Sequence, residues 1–301
     1  MNTRSVLGML VAAIFGMGSL LISVPSDAFP FYDAGVELSC GLCPIGVVSS
    51  ERFPPPVSVS ITGPSVGPTG SAEARVDRGV LGASAKASAP AETELGGITA
   101  LGQAEFTIPV TISGPAGSSG PASLRLSLNG SIDPVIGGRT GVFVFGTFTP
   151  GTNPGAPPDN LFTGLGSVDC RTGTCFPVTQ SLLDGYSGGP VALTAPLGVV
   201  SPGDYVLRLG LQAGASAREN LAIGGSGSSE FMSSLTFASS GPVFLLPDGF
   251  TANAPDGAVF DNLFAPGTVS PEPATIFLVG TTAAGIWLAN WRRRSQRSPQ
   301  P

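Results

Sequence analysis

The stretch Tyr205-Val206-Leu207-Arg208-Leu209-Gly210-Leu211 places a large apolar side chain at every second position. Two residues is the period of a β-strand, because successive side chains point to opposite faces of a sheet. One face of this strand is therefore apolar, and the other carries Arg208. The next residues, Ala213 to Ile223, fit either a helical turn or a continuation of the strand, and we favour the continuation.

The same alternation marks further half-buried strands along the chain. It appears at Val57–Ile61, Phe106–Ile112, Leu124–Leu128 and Phe231–Phe237. Pro109 should push its strand toward a sheet edge, because proline donates no ladder hydrogen bond. Asn129-Gly130 predicts a turn after its strand. The run from Val142 to Phe148 is almost continuously apolar, which fits a strand buried on both faces.

Turn residues separate these strands. Glycine and proline contribute 43 and 29 of the 301 residues, and many of them cluster, for example in 63–70 and 113–121. The longest region without a strand pattern is 150–202. Apolar residues make up 42% and charged residues 11%, the opposite of a disordered chain. Many short strands between such turns predict an all-β fold, an antiparallel β-sandwich that forms one domain over residues 29–270.

The N-terminus has the three parts of a secretory signal peptide. Arg4 precedes an apolar stretch from Val6 to Val24, and Ser26 and Ala28 are the small residues before a cut. We predict a signal peptide over residues 1–28, read by the secretion translocon and cleaved after Ala28. An uncleaved membrane anchor is the alternative, because the apolar stretch is long for a signal.

The C-terminus has a second apolar run. The eighteen residues from Ala274 to Trp291 carry no charge. As a helix they would measure about 27 Å, which is enough for the hydrocarbon core of a membrane. Trp287 and Trp291 stand where indole rings favour the headgroup layer, and the basic tail 292–301 should remain inside. Arg4 gives the same topology, with residues 29–270 outside.

Three features in this order resemble the PEP-CTERM sorting signal of exported Gram-negative proteins. They are Pro271-Glu272-Pro273, the apolar span and Arg292-Arg293-Arg294, and together they occupy residues 271–301. The segment 241–250 is also similar to one that precedes this signal in a subgroup of the family. Hydropathy alone would equally fit an ordinary C-terminal anchor that follows a proline-rich linker.

The resemblance implies a processing route and a set of partners. In that family an exosortase, a membrane-embedded cysteine protease, cuts near the Pro-Glu-Pro motif, and members usually occur beside exopolysaccharide-producing systems. The chain is then expected to be a precursor inserted transiently in the inner membrane. The mature protein would be located at the cell surface or in the extracellular matrix, where exopolysaccharide is an expected contact.

The sequence contains no histidine. Histidine is the usual general base, the usual proton shuttle and the commonest metal ligand, so its absence argues against most enzymes. Ser187 lies in a Gly-x-Ser-x-Gly match, but that motif needs a histidine partner, and a glycine-rich surface loop explains it better. We predict no catalytic residue and no cofactor.

The four cysteines form two close pairs, Cys40 with Cys43 and Cys170 with Cys175. Four thiolates at these spacings could bind zinc, whereas an oxidising exported compartment favours disulfides. Three connectivities are possible, and we favour the two local pairs. Calcium is a further alternative, because Asp256, Asp261 and Asn262 offer oxygen ligands, although their spacing fits no known loop.

Composition narrows the function further. The net charge is −6, and five of the fourteen basic residues lie in the two terminal segments, so nucleic acid is an unsuitable partner. We predict an exported, non-enzymatic cell-surface or extracellular-matrix protein. The alternative is a surface polysaccharide-binding module or a carboxylate-based glycoside hydrolase. Both tryptophans lie in the tail, and this lack of rings for sugar contact argues against that alternative.

Overall fold

A computed structural model describes residues 30–40, 47–52, 55–63, 67–90, 97–134, 137–151, 161–170, 175–186, 188–217 and 224–265. The regular elements of these residues are strands and one 3₁₀ turn, Pro255–Gly257. No helix among the described residues has the length and apolar character needed to cross a membrane. The predicted signal peptide with its cut at Ala28, and the predicted tail 271–301, lie outside them.

Eighteen strands follow one another along the described residues. They are β1 Phe31–Cys40, β2 Val47–Arg52, β3 Val57–Thr62, β4 Thr69–Asp77, β5 Val80–Ala89, β6 Ile98–Ser113, β7 Gly120–Leu128, β8 Ser131–Pro134, β9 Gly138–Pro150, β10 Leu161–Asp169, β11 Phe176–Ser181, β12 Val191–Val200, β13 Gly203–Ala217, β14 Gly225–Phe237, β15 Phe244–Leu245, β16 Thr251–Asn253, β17 Val259–Phe260 and β18 Leu263–Phe264.

Two eight-stranded sheets contain all of them except β17 and β18, which form a small hairpin. The first sheet has the order β11-β10-β9-β13-β6-β1-β2, with β16 also paired to β6. The second has the order β12-β7-β14-β5-β4-β3, with β8 paired to β14 and β15 to β7. The strand pairs are antiparallel. The all-β, antiparallel prediction is therefore confirmed.

The sheets face each other in a sandwich-like arrangement. Strand β13 lies against β5 and β14, β6 lies against β4 and β5, and β1 lies against β4. One apolar core, made from the alternate side chains of both sheets, lies between them. Burying one face of each sheet in this way removes the most apolar area from water.

The core is graded from small to large side chains along β6. Around Gly102 the buried residues are alanines, and a Cβ atom on this glycine would lie only 2.5 Å from the backbone oxygen of Glu73 and 2.7 Å from that of Ser84. Farther along β6 the rings of Phe106 and Phe237 pack 5.9 Å apart. Glycine at position 102 therefore allows the sheets to approach backbone to backbone.

Pro109 lies in a central strand, so the predicted edge position of that strand is wrong. Strand β6 pairs with β13 along its whole length. On the other side of β6, however, the pairing with β1 ends at Thr107 of β6, and the pairing with β16 begins at Thr111 of β6. Because residues 108–110 have no partner there among the described strands, Pro109 lies in a local gap where a missing N–H removes no ladder bond.

Three further expectations are settled by the strand register. Asn129-Gly130 does not join a hairpin, because β7 and β8 both pair with β14 one after the other. The region 150–202 is not patternless, since it contains β10, β11 and β12. Strand β13 does continue beyond Leu211, as predicted, to Ala217. Residues 218–223 lie outside the description.

The segment from 243 to 265 completes the core. Val243, Phe244 and Val259 are fully buried. The side-chain amide of Asn262 donates to the carbonyl of Phe244 and accepts from its N–H, both at 2.7 Å, as a neighbouring strand would. The N–H of Ala265 donates to the carbonyl of Ala258, so the segment is hydrogen-bonded up to the last described residue.

Two buried tyrosines donate their phenolic hydrogen to backbone oxygens of neighbouring segments. Tyr32 donates to the backbone oxygen of Asp256 at 2.8 Å and so attaches β1 to the C-terminal segment. Tyr186 donates to the backbone oxygens of Gly130 and Gly189. Burial raises the pKa of Tyr186 to about 12, and burial together with the Asp256 carboxylate raises the pKa of Tyr32 still further above its ordinary value.

These tyrosines predict a loss of stability in alkali. The folded state keeps both phenolic protons, whereas the unfolded chain releases them above about pH 10. The contribution of these tyrosines to stability should therefore be constant below that pH, and the midpoint of thermal unfolding should fall as pH rises from 10 toward 12. The fall should be shallower in Tyr32→Phe. A midpoint that is level up to pH 11.5, or an equally steep fall in the variant, would contradict this assignment.

Candidate functional site

The outer faces of the two sheets have different chemistry. The second sheet presents a flat polar face of small hydroxyl side chains with ion pairs, such as Lys86 with Glu230 at 2.5 Å. Its outward serines and threonines include Ser58, Ser60, Thr62, Ser71, Ser84, Ser88, Ser123, Ser127, Ser226 and Ser228. The first sheet presents aromatic and amide side chains instead, and it is the better candidate for selective binding.

Two phenylalanines on β9 point outward from the first sheet. In residues 142–148 buried and half-buried positions alternate, so the expectation of a strand buried on both faces is wrong. The rings of Phe143 and Phe145 lie 5.6 Å apart with 24° between their planes. The tip of the Phe145 ring lies over Gly210 of β13, where a Cβ atom would be 2.1 Å from it. Only glycine leaves room for this ring position.

A half-buried ion pair lies against the ring of Phe145. Both carboxylate oxygens of Glu105 accept hydrogen bonds from Arg208, from Nε at 2.6 Å and from Nη2 at 2.8 Å. The side chain of Glu105 is 9% exposed and that of Arg208 is 41% exposed. The guanidinium carbon lies 5.6 Å from the centre of the Phe145 ring. The hydrogen bond to Glu105 raises the pKa of Arg208, so the pair stays charged and fixed.

A pair of glutamines forms the next row of the same face. The amide nitrogen of Gln212 donates to the side-chain oxygen of Gln103 at 2.9 Å. Strand register places Gln212 directly beside both Gln103 and Phe143. The described residues provide no partner for the amide N–H groups of Gln103 or for the side-chain oxygen of Gln212.

We call these six residues the phenylalanine face. It consists of Gln103, Glu105, Phe143, Phe145, Arg208 and Gln212. Strands are about 4.8 Å apart, so the rows across β9, β13 and β6 span about 10 Å. The face is therefore an open surface that joins an aromatic platform to fixed planar polar groups.

Charges on the outer side of the first sheet are mainly acidic. The described acidic residues there are Asp33, Glu37, Glu105, Asp169 and Asp204, and the described basic residues are Arg139, Arg208 and Arg52, which stands opposite Asp33 on β2. Because Arg208 is already paired with Glu105, an anionic ligand would meet an unfavourable field. The electrostatics therefore favour an uncharged ligand.

A small cavity opens near one end of the same face, between β6, β9 and β13. Gly141, Gly214 and Arg139 contribute to its lining. Its free volume is about 10 Å³, which holds about one water molecule. Sites for small molecules are usually some 300–1,000 Å³ in volume. This cavity is too small to be a substrate pocket.

The cysteines of the described region are oxidised. Cys170 and Cys175 form a disulfide with their Cα atoms 4.1 Å apart. Cys40 is also disulfide-bonded, and Cys43 lies outside the described residues. None of the described cysteines is a free thiol.

The remaining predicted residues are separated or lie outside the description. Asn262 uses its side chain to hold Phe244 rather than to face a cation. In the described part of the chain, no three acidic, histidine or cysteine residues are grouped to hold a metal. Ser187, Pro271, Glu272, Pro273 and Arg292–Arg294 lie outside the described residues.

Sequence reasoning missed the phenylalanine face. The sequence of a long apolar run does not show which face of the strand packs against the core. One signal was available in the sequence. Gly141 and Gly146 flank the two phenylalanines, and Gly210 interrupts the apolar alternation of Tyr205–Leu211. Comparison of the chain with known protein families, with curated proteins and with solved structures finds no match.

Proposed function

We propose that the chain is an exported, non-enzymatic cell-surface or extracellular-matrix protein made as a membrane-inserted precursor. In this proposal a β-sandwich ectodomain, residues 29–270, lies between a signal helix and a transmembrane helix. The secretion translocon, the inner membrane and an exosortase are its partners during export. The observation that carries the proposal is the order of Pro271-Glu272-Pro273, the apolar span and the arginine cluster at the C-terminus.

The position of the described core is compatible with this division. Its last buried residue is Val259, and Phe264 packs against it. A cut near Pro271 would therefore leave all of these described side chains in the mature protein. A protein sorted through its tail needs this separation between the folded cargo and the signal.

Two observations support a role without catalysis. The chain contains no histidine. Asp33 and Glu105 stand opposite each other on neighbouring strands, as a carboxylate pair for glycoside hydrolysis could. Both oxygens of Glu105 are bonded to Arg208, however, and this suits a structural carboxylate better than a nucleophile or an acid.

The proposal is tested by locating the C-terminus of the exported protein. Exosortase processing predicts that the mature chain ends near Pro271 and lacks the span from Ala274 onward. Peptide mapping by mass spectrometry, with the cellular precursor as the reference, measures this end directly.

A second candidate function is polysaccharide binding by the ectodomain. The outward aromatic pair of Phe143 and Phe145 favours it, because carbohydrate sites combine ring platforms with fixed planar hydrogen-bonding groups. This observation offsets the low number of tyrosines and tryptophans in the ectodomain. The two functions are compatible, since a matrix protein can be retained by a polymer that it binds.

A further inference from the structure

We propose that the phenylalanine face binds a neutral polysaccharide chain. Phe145 would be the stacking platform, and Gln103, Gln212 and Arg208 would hydrogen-bond the hydroxyl groups of the sugar. The inference rests on the second candidate function and adds to it the class of ligand and the residues that recognise it.

The ring of Phe145 is the proposed stacking platform. Sugar rings have an apolar face of C–H groups that packs against the negative face of an aromatic ring. Gly210 leaves room for the tip of the Phe145 ring, and Phe143 beside the ring and the guanidinium of Arg208 over it restrict other orientations. A ring fixed in the free protein loses little conformational entropy on binding, which strengthens an otherwise weak contact.

Polar side chains beside the platform would provide the hydrogen bonds to the sugar. Sugar hydroxyls donate and accept hydrogen bonds, so they need both kinds of partner beside the platform. Gln103 offers amide N–H donors, and Gln212 offers a carbonyl acceptor. Arg208 has N–H groups left over from its two bonds to Glu105. The face therefore presents donors and an acceptor within one strand spacing of the aromatic rings.

Charge selects a neutral polymer over an acidic one. Five acidic and three basic described residues lie on this side of the first sheet, and Arg208 and Glu105 neutralise each other. A polymer of uronic acids would meet like charge. A neutral glycan can use the same donors without an electrostatic cost.

The test uses the full chain in detergent micelles and native gels that contain one polymer each. The probes are dextran, a soluble β-glucan and galactomannan as neutral polymers, and alginate and polygalacturonate as acidic ones. At least one neutral polymer should retard the protein. Phe145→Leu, which keeps apolar bulk but removes the ring, should weaken that binding by about tenfold. Val199→Ala, at a 71% exposed position in the second sheet, is the matched control and should bind normally.

Each other outcome contradicts a defined part of the account. Retardation by acidic polymers alone would overturn the neutral class but leave polysaccharide binding intact. Retardation by no polymer would overturn both the inference and the second candidate function. Neutral binding that survives Phe145→Leu would move the site away from this face. Thermal unfolding of each variant, equal to that of the parent, shows that a loss of binding is not a loss of fold.

Discussion

A chain that ends at residue 242 should not fold, whereas a chain that ends at residue 270 should fold fully. The shorter chain lacks Val243, Phe244, Ala252, Ala254 and Val259, all of which are fully buried. Loss of a buried phenylalanine side chain alone costs about 3–5 kcal/mol. Because a whole domain is stable by only about 5–15 kcal/mol, removing the segment should exhaust that margin.

Far-ultraviolet circular dichroism and urea unfolding of the two truncated chains measure this difference. The chain that ends at 270 is the matched control, since it keeps every described core residue and loses only the tail. A folded chain ending at 242 would show that the C-terminal segment is an accessory. An unfolded chain ending at 270 would show that the tail contributes to the fold, and the division into cargo and signal would then be wrong.

Gly102→Ala should destabilise the protein by about 3 kcal/mol, at the upper end of the cost of overpacking a core. The added Cβ atom would lie 2.5 Å and 2.7 Å from two backbone oxygens of the opposite sheet. Backbone atoms within a sheet cannot turn away as a side chain can. The sheets must therefore separate locally, which loosens the alanine-rich end of the core.

Gly166→Ala is the matched control for this substitution. Its Cβ atom would meet the ring of Tyr186 at 3.0 Å, a side chain that can shift by a few tenths of an ångström. Alanine also restricts the unfolded chain, which partly offsets the strain. Urea unfolding should thus give a much smaller change for Gly166→Ala. Equal changes in the two variants would contradict the close approach of the sheets at Gly102.

Large apolar side chains made part of this fold predictable from the sequence. The strands at Tyr205–Leu211 and Phe106–Ile112 alternate leucine, isoleucine or phenylalanine with other residues, so their period is evident. Strands β4 and β5 were missed, because alanine alternates there with serine, glutamate or lysine and the contrast is small. Those alanines are buried in the region where Gly102 lets the two sheets approach closely.

The phenylalanine face depends on tertiary information that no local pattern contains. Phe143 and Phe145 are as apolar as their neighbours Val142 and Val144, and strand register alone decides which pair faces the core. Likewise, the pairing of Glu105 with Arg208 joins residues 103 positions apart. Such a pair follows from the order β9-β13-β6, which the strand pattern does not determine.

The central claim is that this ectodomain is delivered through its tail, and the C-terminus of the mature protein tests it most directly. Protein recovered from the cell surface or matrix should be digested and its C-terminal peptide identified by mass spectrometry, with the membrane-bound precursor as the reference. We expect a mature end near Pro271 and no peptide from Ala274 onward. Surface material that retains an intact Arg292–Pro301 tail would contradict the account.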